Sequence, residues 1–526
     1  MKRIVTLVAA LAVVANVSAQ IKIGKGQLAG SFESNSIYYI EDSKVGDTSH
    51  LDDFGTHNYL KLDYSIGKFS AGVQADAYLP VLRGYDITTG NEFLLSSKYI
   101  QWQDKSFEVL VGDIFDQVGN GLVFRSFEDR QLGLNNSLEG ARGIVRLGDF
   151  LQVKAMFGRP RLYTEYADSK VAVGDVSLSL SNLLDMEGTM LSVEGSYVNR
   201  NESLTEDEFM DFGALGLTDR NVGLYSARVN FARKWLSLRA EYAGKGKDVT
   251  LPTSISAEKG SALLGELGIN HGSFSLMGTF RRLEHMGTRI SLYGSGTANT
   301  LNYLPALTRQ YTYMLANLEP YQVSTEGEIG GQIDVNYSLR SKENRYRYWN
   351  FHANISSFST LHDWQSATGD KELLWLDINF DVERQWSRKL KTAFLYSRQE
   401  WNPEHGYAEK NFVSNIFVAD VTYKFNRKKS LRVEAQYLLS DDHEGDWVAG
   451  LAEFSLAPHW SFFISDMYNL GETDMNYYNG GLSYTHSRTR AQLSFGRNRA
   501  GYVCSGGVCR FSPAYTGVNL MLTTSF

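Results

Sequence analysis

Along nearly the whole chain, apolar and polar residues alternate at period 2 in segments of about ten to thirteen residues. In one segment Leu374, Leu376, Ile378, Phe380 and Val382 alternate with Trp375, Asp377, Asn379, Asp381 and Glu383. In others, Leu60, Leu62, Tyr64 and Ile66 alternate with Lys61, Asp63 and Ser65, and Leu236, Leu238, Ala240 and Tyr242 with Ser237, Arg239 and Glu241. Successive side chains of a strand point to opposite faces, so each segment predicts a strand with one lipid-like face and one charged face. A soluble sandwich alternates too, but its strands are usually about half this length. A tilted strand that crosses a bilayer needs about this many residues. The pattern therefore predicts an all-β transmembrane antiparallel β-barrel.

The connections supply an independent test, because outer-membrane barrels join strands by short turns at one end and longer loops at the other. Short connections fall at eleven places, from Gly67-Lys68 and Asp104-Lys105 through Asp185 to Gly188 and Arg233-Lys234 to His486 to Arg488. Twelve longer ones alternate with them, among them Asp42 to Thr56, Asn199 to Asp219, Trp401 to Lys410 and Arg499 to Pro513. The alternation predicts about 24 strands, within a range of about 22–26, with N- and C-termini both periplasmic. The most weakly patterned strand is Val171 to Leu180; without it the alternation fails between Phe157 and Leu191. The short turns are rich in bases and the loops in acids, such as Glu206, Asp207, Glu208 and Asp211, which read as solvated ends.

The chain begins Met-Lys-Arg, continues with an apolar run from Ile4 to Val14, and then offers Val17-Ser18-Ala19 as a small-residue cleavage site. Residues 1–19 are thus expected to be a signal peptide, and 20–526 one barrel domain. No later apolar run is long enough for a helical span. The 30 Tyr, 28 Phe and 9 Trp, with 48 Gly and only 8 Pro, suit a barrel with aromatic girdles. A net charge of -7 gives no footprint for nucleic acid. The last segment, Gly517 to Phe526, resembles the closing strand of an outer-membrane protein. That resemblance implies that Phe526 is the C-terminal signal read by the barrel-insertion machinery, and that the chain lies in outer-membrane lipid.

A barrel of this size encloses more room than wall side chains fill, so the lumen is either an open channel or plugged. Patterned strand begins by about Gln27, which leaves no space for a globular plug ahead of the first strand. The candidates for filling the lumen are the connections 115–139 and 283–326. The first reads Gly119-Asn120-Gly121-Leu122-Val123-Phe124-Arg125-Ser126-Phe127-Glu128-Asp129-Arg130. Charges at membrane depth require a wet lumen or lumen partners. Arg125, Glu128, Asp129 and Arg130 read either as a lumen constriction that selects or gates a solute, or as part of an inward-folded loop held by salt bridges to wall residues such as Arg239, Glu241 or Asp377. This stretch, and the ending Gly507-Val508-Cys509-Arg510 before the last strand, resemble a family of Bacteroidota outer-membrane barrels known only as a domain of unknown function. The resemblance implies the fold and brings no activity or substrate.

Cys504 and Cys509 lie in the last long loop. In an oxidising compartment a disulfide is expected; metal binding by Cys-x4-Cys is the alternative, with no His or further Cys near in sequence to complete it. The acidic run Asp441-Asp442-His443-Glu444-Gly445-Asp446 reads as a solvated loop rather than a Ca²⁺ site, since it lacks EF-hand spacing. Most His residues lie near turns or loops, with His352 the exception in strand sequence. No hydrolase elbow, zincin motif or phosphate loop is present. No enzyme activity, cofactor or metal is expected. Two functions are expected from the sequence: a porin-like or gated channel for a polar solute, or a non-conducting scaffold subunit that supports another outer-membrane assembly or a surface lipoprotein.

Overall fold

The computed structural model describes residues 21–46, 51–85, 93–249, 257–292, 296, 298–344, 346–366, 368–505 and 508–526. The expected signal peptide lies outside them. The chain forms a closed barrel of 24 antiparallel strands, each paired with the next in sequence, from Gly26–Ile40 to Tyr515–Ser525. Two short pieces, Ile21–Ile23 and Glu165–Tyr166, bring the whole sheet to 26. The expected weak strand is present as Lys170–Ser179, paired on both sides.

Period 2 does what the sequence predicted. In the strand Leu236–Val249, Leu238 and Tyr242 are exposed on the outside, while Glu241, Ala243 and Lys245 are buried on the inside. Around the barrel the outward face carries exposed Phe157, Val229, Phe280, Ile333, Phe394 and Ile464. Trp102, Trp235, Trp386 and Trp460 stand exposed near the short-turn end, as an aromatic belt.

The barrel closes where the first strand pairs with the last, with Ser31 opposite Ser525 and Ile40 opposite Thr516. Phe526 continues this ladder: its N–H donates to Gly30 O at 2.9 Å and its carbonyl accepts the Gly30 N–H at 2.8 Å. A Cβ on Gly30 would meet the Phe526 ring at 2.4 Å, so the terminal ring lies where only glycine leaves room.

Two connections differ in detail from expectation. A four-residue helix, Leu180–Leu183, precedes the turn at Asp185, with the Ser179 hydroxyl accepting the Asn182 N–H. The acids Glu206, Asp207 and Glu208, read as a solvated loop, open a helix, Glu206–Ala214. The reason is a capping box: Thr205 Oγ1 accepts the Glu208 N–H, and Glu208 accepts the Thr205 N–H at 2.8 Å. Three acids in the first turn also suit the positive end of the helix dipole.

Candidate functional site

Both long connections singled out from the sequence fold back inside the barrel and fill the end of the lumen nearest the long loops. In the first, between the strands Phe107–Ile114 and Leu138–Leu147, Asp116–Gln117 pairs with Arg125–Ser126 as a small hairpin. Gly121, at φ 91°, makes the turn, and a Cβ there would meet Tyr303 at 2.9 Å. This tight turn presents Val118, Leu122, Val123 and Phe124 inward, each at most 1% exposed. They pack with Ile290, Leu301 and Leu304 of the second segment and with wall residues such as Val173, Val198 and Leu264. Burial of each such side chain contributes roughly 1.5–3 kcal/mol, so the inner surface behaves as a protein core.

The two segments form one body. Arg125 N–H donates to Leu301 O at 3.0 Å, and Tyr303 N–H donates to Gly121 O at 2.8 Å. Asn302 and Asn136 donate from their amides to Leu122 O and Thr300 O, each at 2.9 Å. Farther along, the second segment reaches the opposite wall, where Tyr311, Leu315 and Ala316 pack against Leu395, Ile416, Leu438 and Trp447.

Polar side chains of the wall hold this body. Glu241 accepts both the backbone and the side-chain N–H of Asn120 at 2.9 Å. Asp116 receives Arg142 and Lys154, each at 2.7 Å. Arg200 pairs with Asp248 at 2.8 Å and also donates to Arg289 O at 2.7 Å. Tyr311 donates to Asp377 at 2.7 Å, and Arg309 pairs with Asp381 at 2.6 Å. Arg281, Glu328 and Tyr321 form a further buried cluster.

Among the expected wall partners, Glu241 and Asp377 hold the segments, by hydrogen bonds from Asn120 and Tyr311 rather than salt bridges. Arg239 does not; it lies nearer the short turn, below the filled region, and faces Glu266 at 3.7 Å. Of the four charges expected at a constriction, Glu128 and Arg130 come together, 3.5 Å apart. Gln74 donates to Glu128 at 2.6 Å, and Arg130 reaches Glu33 at 2.6 Å while lying over the Tyr59 ring. Burial opposes the charge on Arg130, but Glu128 and Glu33 outweigh it and raise its pKa. Arg125 lies instead 4.0 Å from the rings of both Phe127 and Tyr303, and Asp129 closes a local turn by accepting the Leu132 N–H at 3.1 Å.

Below this body the lumen is wetter. Along Gly327–Arg340 the inward Glu328 is buried, Gln332 and Asp334 are half-buried and Asn336 is exposed. His352 lies at the boundary, with one ring nitrogen 2.7 Å from Asp381 and the other 2.7 Å from Asp334. Cys504 and Cys509 are joined in a disulfide, which removes them as metal ligands. Their hairpin lies on the first segment, where Arg510 donates to Gln131 O at 2.8 Å. In the acidic run, Asp441 accepts the Val413 N–H, Asp442 accepts the Gly445 N–H and Glu444 pairs with Arg499. No group of three or more His, Cys, Asp or Glu among the described residues is placed to hold a metal ion.

Sequence reasoning found both segments by their length but missed most of their ties. Asn299, Asn302 and Arg309 carry many of them, and a signal existed: polar side chains able to hydrogen-bond backbone recur inside an otherwise apolar long connection.

A family model of unknown function matches residues 1–526. The chain belongs to that family, DUF6029. Membership in DUF6029 assigns no activity. No curated protein matches the chain. Among solved structures, the translocation pore of the P pilus usher PapC is similar at 11% identity, covering 95% of this chain and 99% of that one, with a TM-score of 0.47. The siderophore receptor PirA of Pseudomonas aeruginosa matches at 10% identity, over 95% of this chain and 80% of that one, with a TM-score of 0.43. The outer membrane protein opdK of Pseudomonas aeruginosa matches at 10% identity, over 95% and 98%, with a TM-score of 0.37.

Proposed function

We propose that the protein is an integral outer-membrane barrel that passes a polar solute through a lumen held shut at rest by its own two inward segments. The observation that carries this reading is the contrast along the lumen: a dry, packed body near the long loops above a half lined by partly exposed side chains of both signs. Water enters the lower half, and the packed body is what a solute must displace. In this reading the long loops face outward, and the short turns and both termini face the periplasm. An even strand number, which places both termini at the same end of the barrel, supports this orientation.

The depth of burial at Leu122 and Val123 favours a second reading, a permanently closed scaffold that supports another outer-membrane assembly or a surface lipoprotein. Recording from purified protein in a planar bilayer separates the two. A channel closed at rest is expected to be quiet at low voltage and to give discrete openings as the voltage is raised. Silence at every voltage, with a stoichiometric partner that co-purifies, would overturn the channel reading in favour of the scaffold.

A further inference from the structure

On the lipid-facing side of the wall, the strands Leu373–Gln385, Leu390–Trp401, Phe412–Lys424 and Lys429–Ser440 shape a hollow of about 490 Å³. Its origin is a change of side-chain size along one outward row. There Phe394 pairs with Ala419 and Ala419 with Ala435, so two methyl groups form the floor. In the next outward row towards the long loops, Tyr396 pairs with Phe417 and Phe417 with Tyr437, and these exposed rings form the rim. Val382, paired with Phe394, lies at the side of the hollow. An apolar hollow that opens towards hydrocarbon is shaped for an alkyl chain.

Arg384 is the next outward residue after Val382, one step nearer the short turn. Its Cζ lies 3.5 Å from the centre of the Trp386 ring and 4.0 Å from that of Trp349. The two indoles cover the faces of the guanidinium, and its N–H edges meet no acceptor among the described residues. Beside it, one short turn carries Arg388 and Lys389, and the next carries Arg427, Lys428 and Lys429. The Lys424 N–H donates to Lys389 O at 2.7 Å, which sets the two turns side by side. All five bases are exposed, and none pairs with a carboxylate among the described residues. The acid next to Arg384 in sequence, Glu383, is on the inward face and is taken by Lys391 and Tyr348, each at 2.8 Å.

The unpaired cations call for an anion, and the place of Arg384 decides which kind. A soluble polyanion reaches the turns, but Arg384 stands on the membrane face among the belt indoles, at headgroup level. A zwitterionic lipid would bring its own ammonium group against bases that already lack partners. An anionic phospholipid meets both demands in one molecule. Its phosphate accepts from the free edges of Arg384 within the field of the turn bases, while an acyl chain rises into the hollow beside Val382.

We propose that this face is a binding site for one anionic phospholipid of the leaflet at the short-turn end, with its phosphate on Arg384 and the turn bases and an acyl chain in the hollow. The site rests on the membrane location proposed above and is independent of whether the lumen opens.

The test is native mass spectrometry of the full-length protein, purified in detergent and titrated with phosphatidylglycerol or with phosphatidylethanolamine of the same acyl chains. One phosphatidylglycerol per barrel is expected to be retained several-fold more strongly than phosphatidylethanolamine. Arg384→Gln removes the charge at the membrane face and is expected to lower phosphatidylglycerol retention about fivefold. Ala435→Phe fills the hollow from the lipid side and is expected to lower it at least as much. The double variant Arg233→Gln and Lys234→Gln, on a distant short turn, is expected to bind as the wild type does. All variants should retain the heat-modifiable gel mobility of a folded barrel. Equal retention of both lipids, or a preference unchanged by Arg384→Gln and Ala435→Phe, would overturn the site and leave the membrane location standing. A folded barrel that inserts into vesicles of neither lipid would overturn the membrane location, and the site with it.

Discussion

Arg130 of the first inward segment lies 2.6 Å from Glu33 of the first wall strand and stacks over Tyr59 of the second, at 4.4 Å. One side chain thus ties the body that fills the lumen to the seam where the barrel closes. Both partners remain partly exposed, so the ion pair itself contributes only about 1 kcal/mol, with the ring contact adding a similar amount.

Arg130→Ala is therefore expected to loosen the first segment without unfolding the wall. Limited proteolysis of the folded protein should cut within 115–137 several-fold faster in the variant, while the thermal gel-shift midpoint changes little. A large loss of barrel stability would show that Arg130 supports the wall itself.

Arg200 and Asp248 form a different kind of contact, since both side chains are fully buried on the inner face. Removal of one partner leaves an uncompensated charge, which costs about 3–5 kcal/mol. Arg200→Met and Asp248→Leu are each expected to lower the unfolding midpoint strongly. The double variant is expected to recover part of the loss, because the two closest charges go together, while Glu202, 3.5 Å from Arg200, and Lys245, 3.9 Å from Asp248, each lose a partner. Additive losses would contradict this account.

The seam also carries a pH-dependent tie. Asp42, just beyond the first strand, accepts from Arg497 at 2.8 Å, Thr516 at 2.6 Å and the Lys44 N–H at 3.1 Å. Burial alone would raise its carboxyl, but these bonds outweigh burial and hold it below the usual 3.8. Since the folded value is the lower one, the stabilisation is complete above the unfolded value and is lost as pH falls through the folded one. As pH falls below the usual carboxylate value of about 4, the wild-type unfolding midpoint is expected to fall more steeply than that of Asp42→Asn. Parallel curves would show that Asp42 does not carry the effect.

The wall was legible from sequence because its environment is two-sided. Lipid outside and water or polar partners inside impose period 2 on every strand, down to the poorly patterned Lys170–Ser179. Turn lengths then set the strand number. The filled lumen was legible only as excess length in two connections. Its contacts join residues far apart in the chain, as where Asn302 bonds Leu122 O across 180 positions, and no local period marks such pairs. Arg239 illustrates the limit: period 2 placed it on the inner face correctly, but its depth below the packed body depends on strand stagger, which alternation does not reveal. The helix at Glu206 was missed for the opposite reason. Its signal is local, Thr205 followed three residues later by Glu208, and acidity obscured it.

In the proposed channel the two inward segments close the lumen. Each leaves and re-enters neighbouring paired strands: Ile114 is opposite Leu138, and Glu284 is opposite Gly327. Both segments can therefore be replaced by short Gly-Ser hairpin linkers without disturbing the wall. Single-channel recording from the doubly excised barrel, checked for folding by its heat-modifiable mobility, shows whether these segments are what blocks conduction. Large, stable conductance steps at low voltage, absent from the wild type, are expected. A folded, excised barrel as silent as the wild type, or a wild type that already conducts at the same level, would contradict the account.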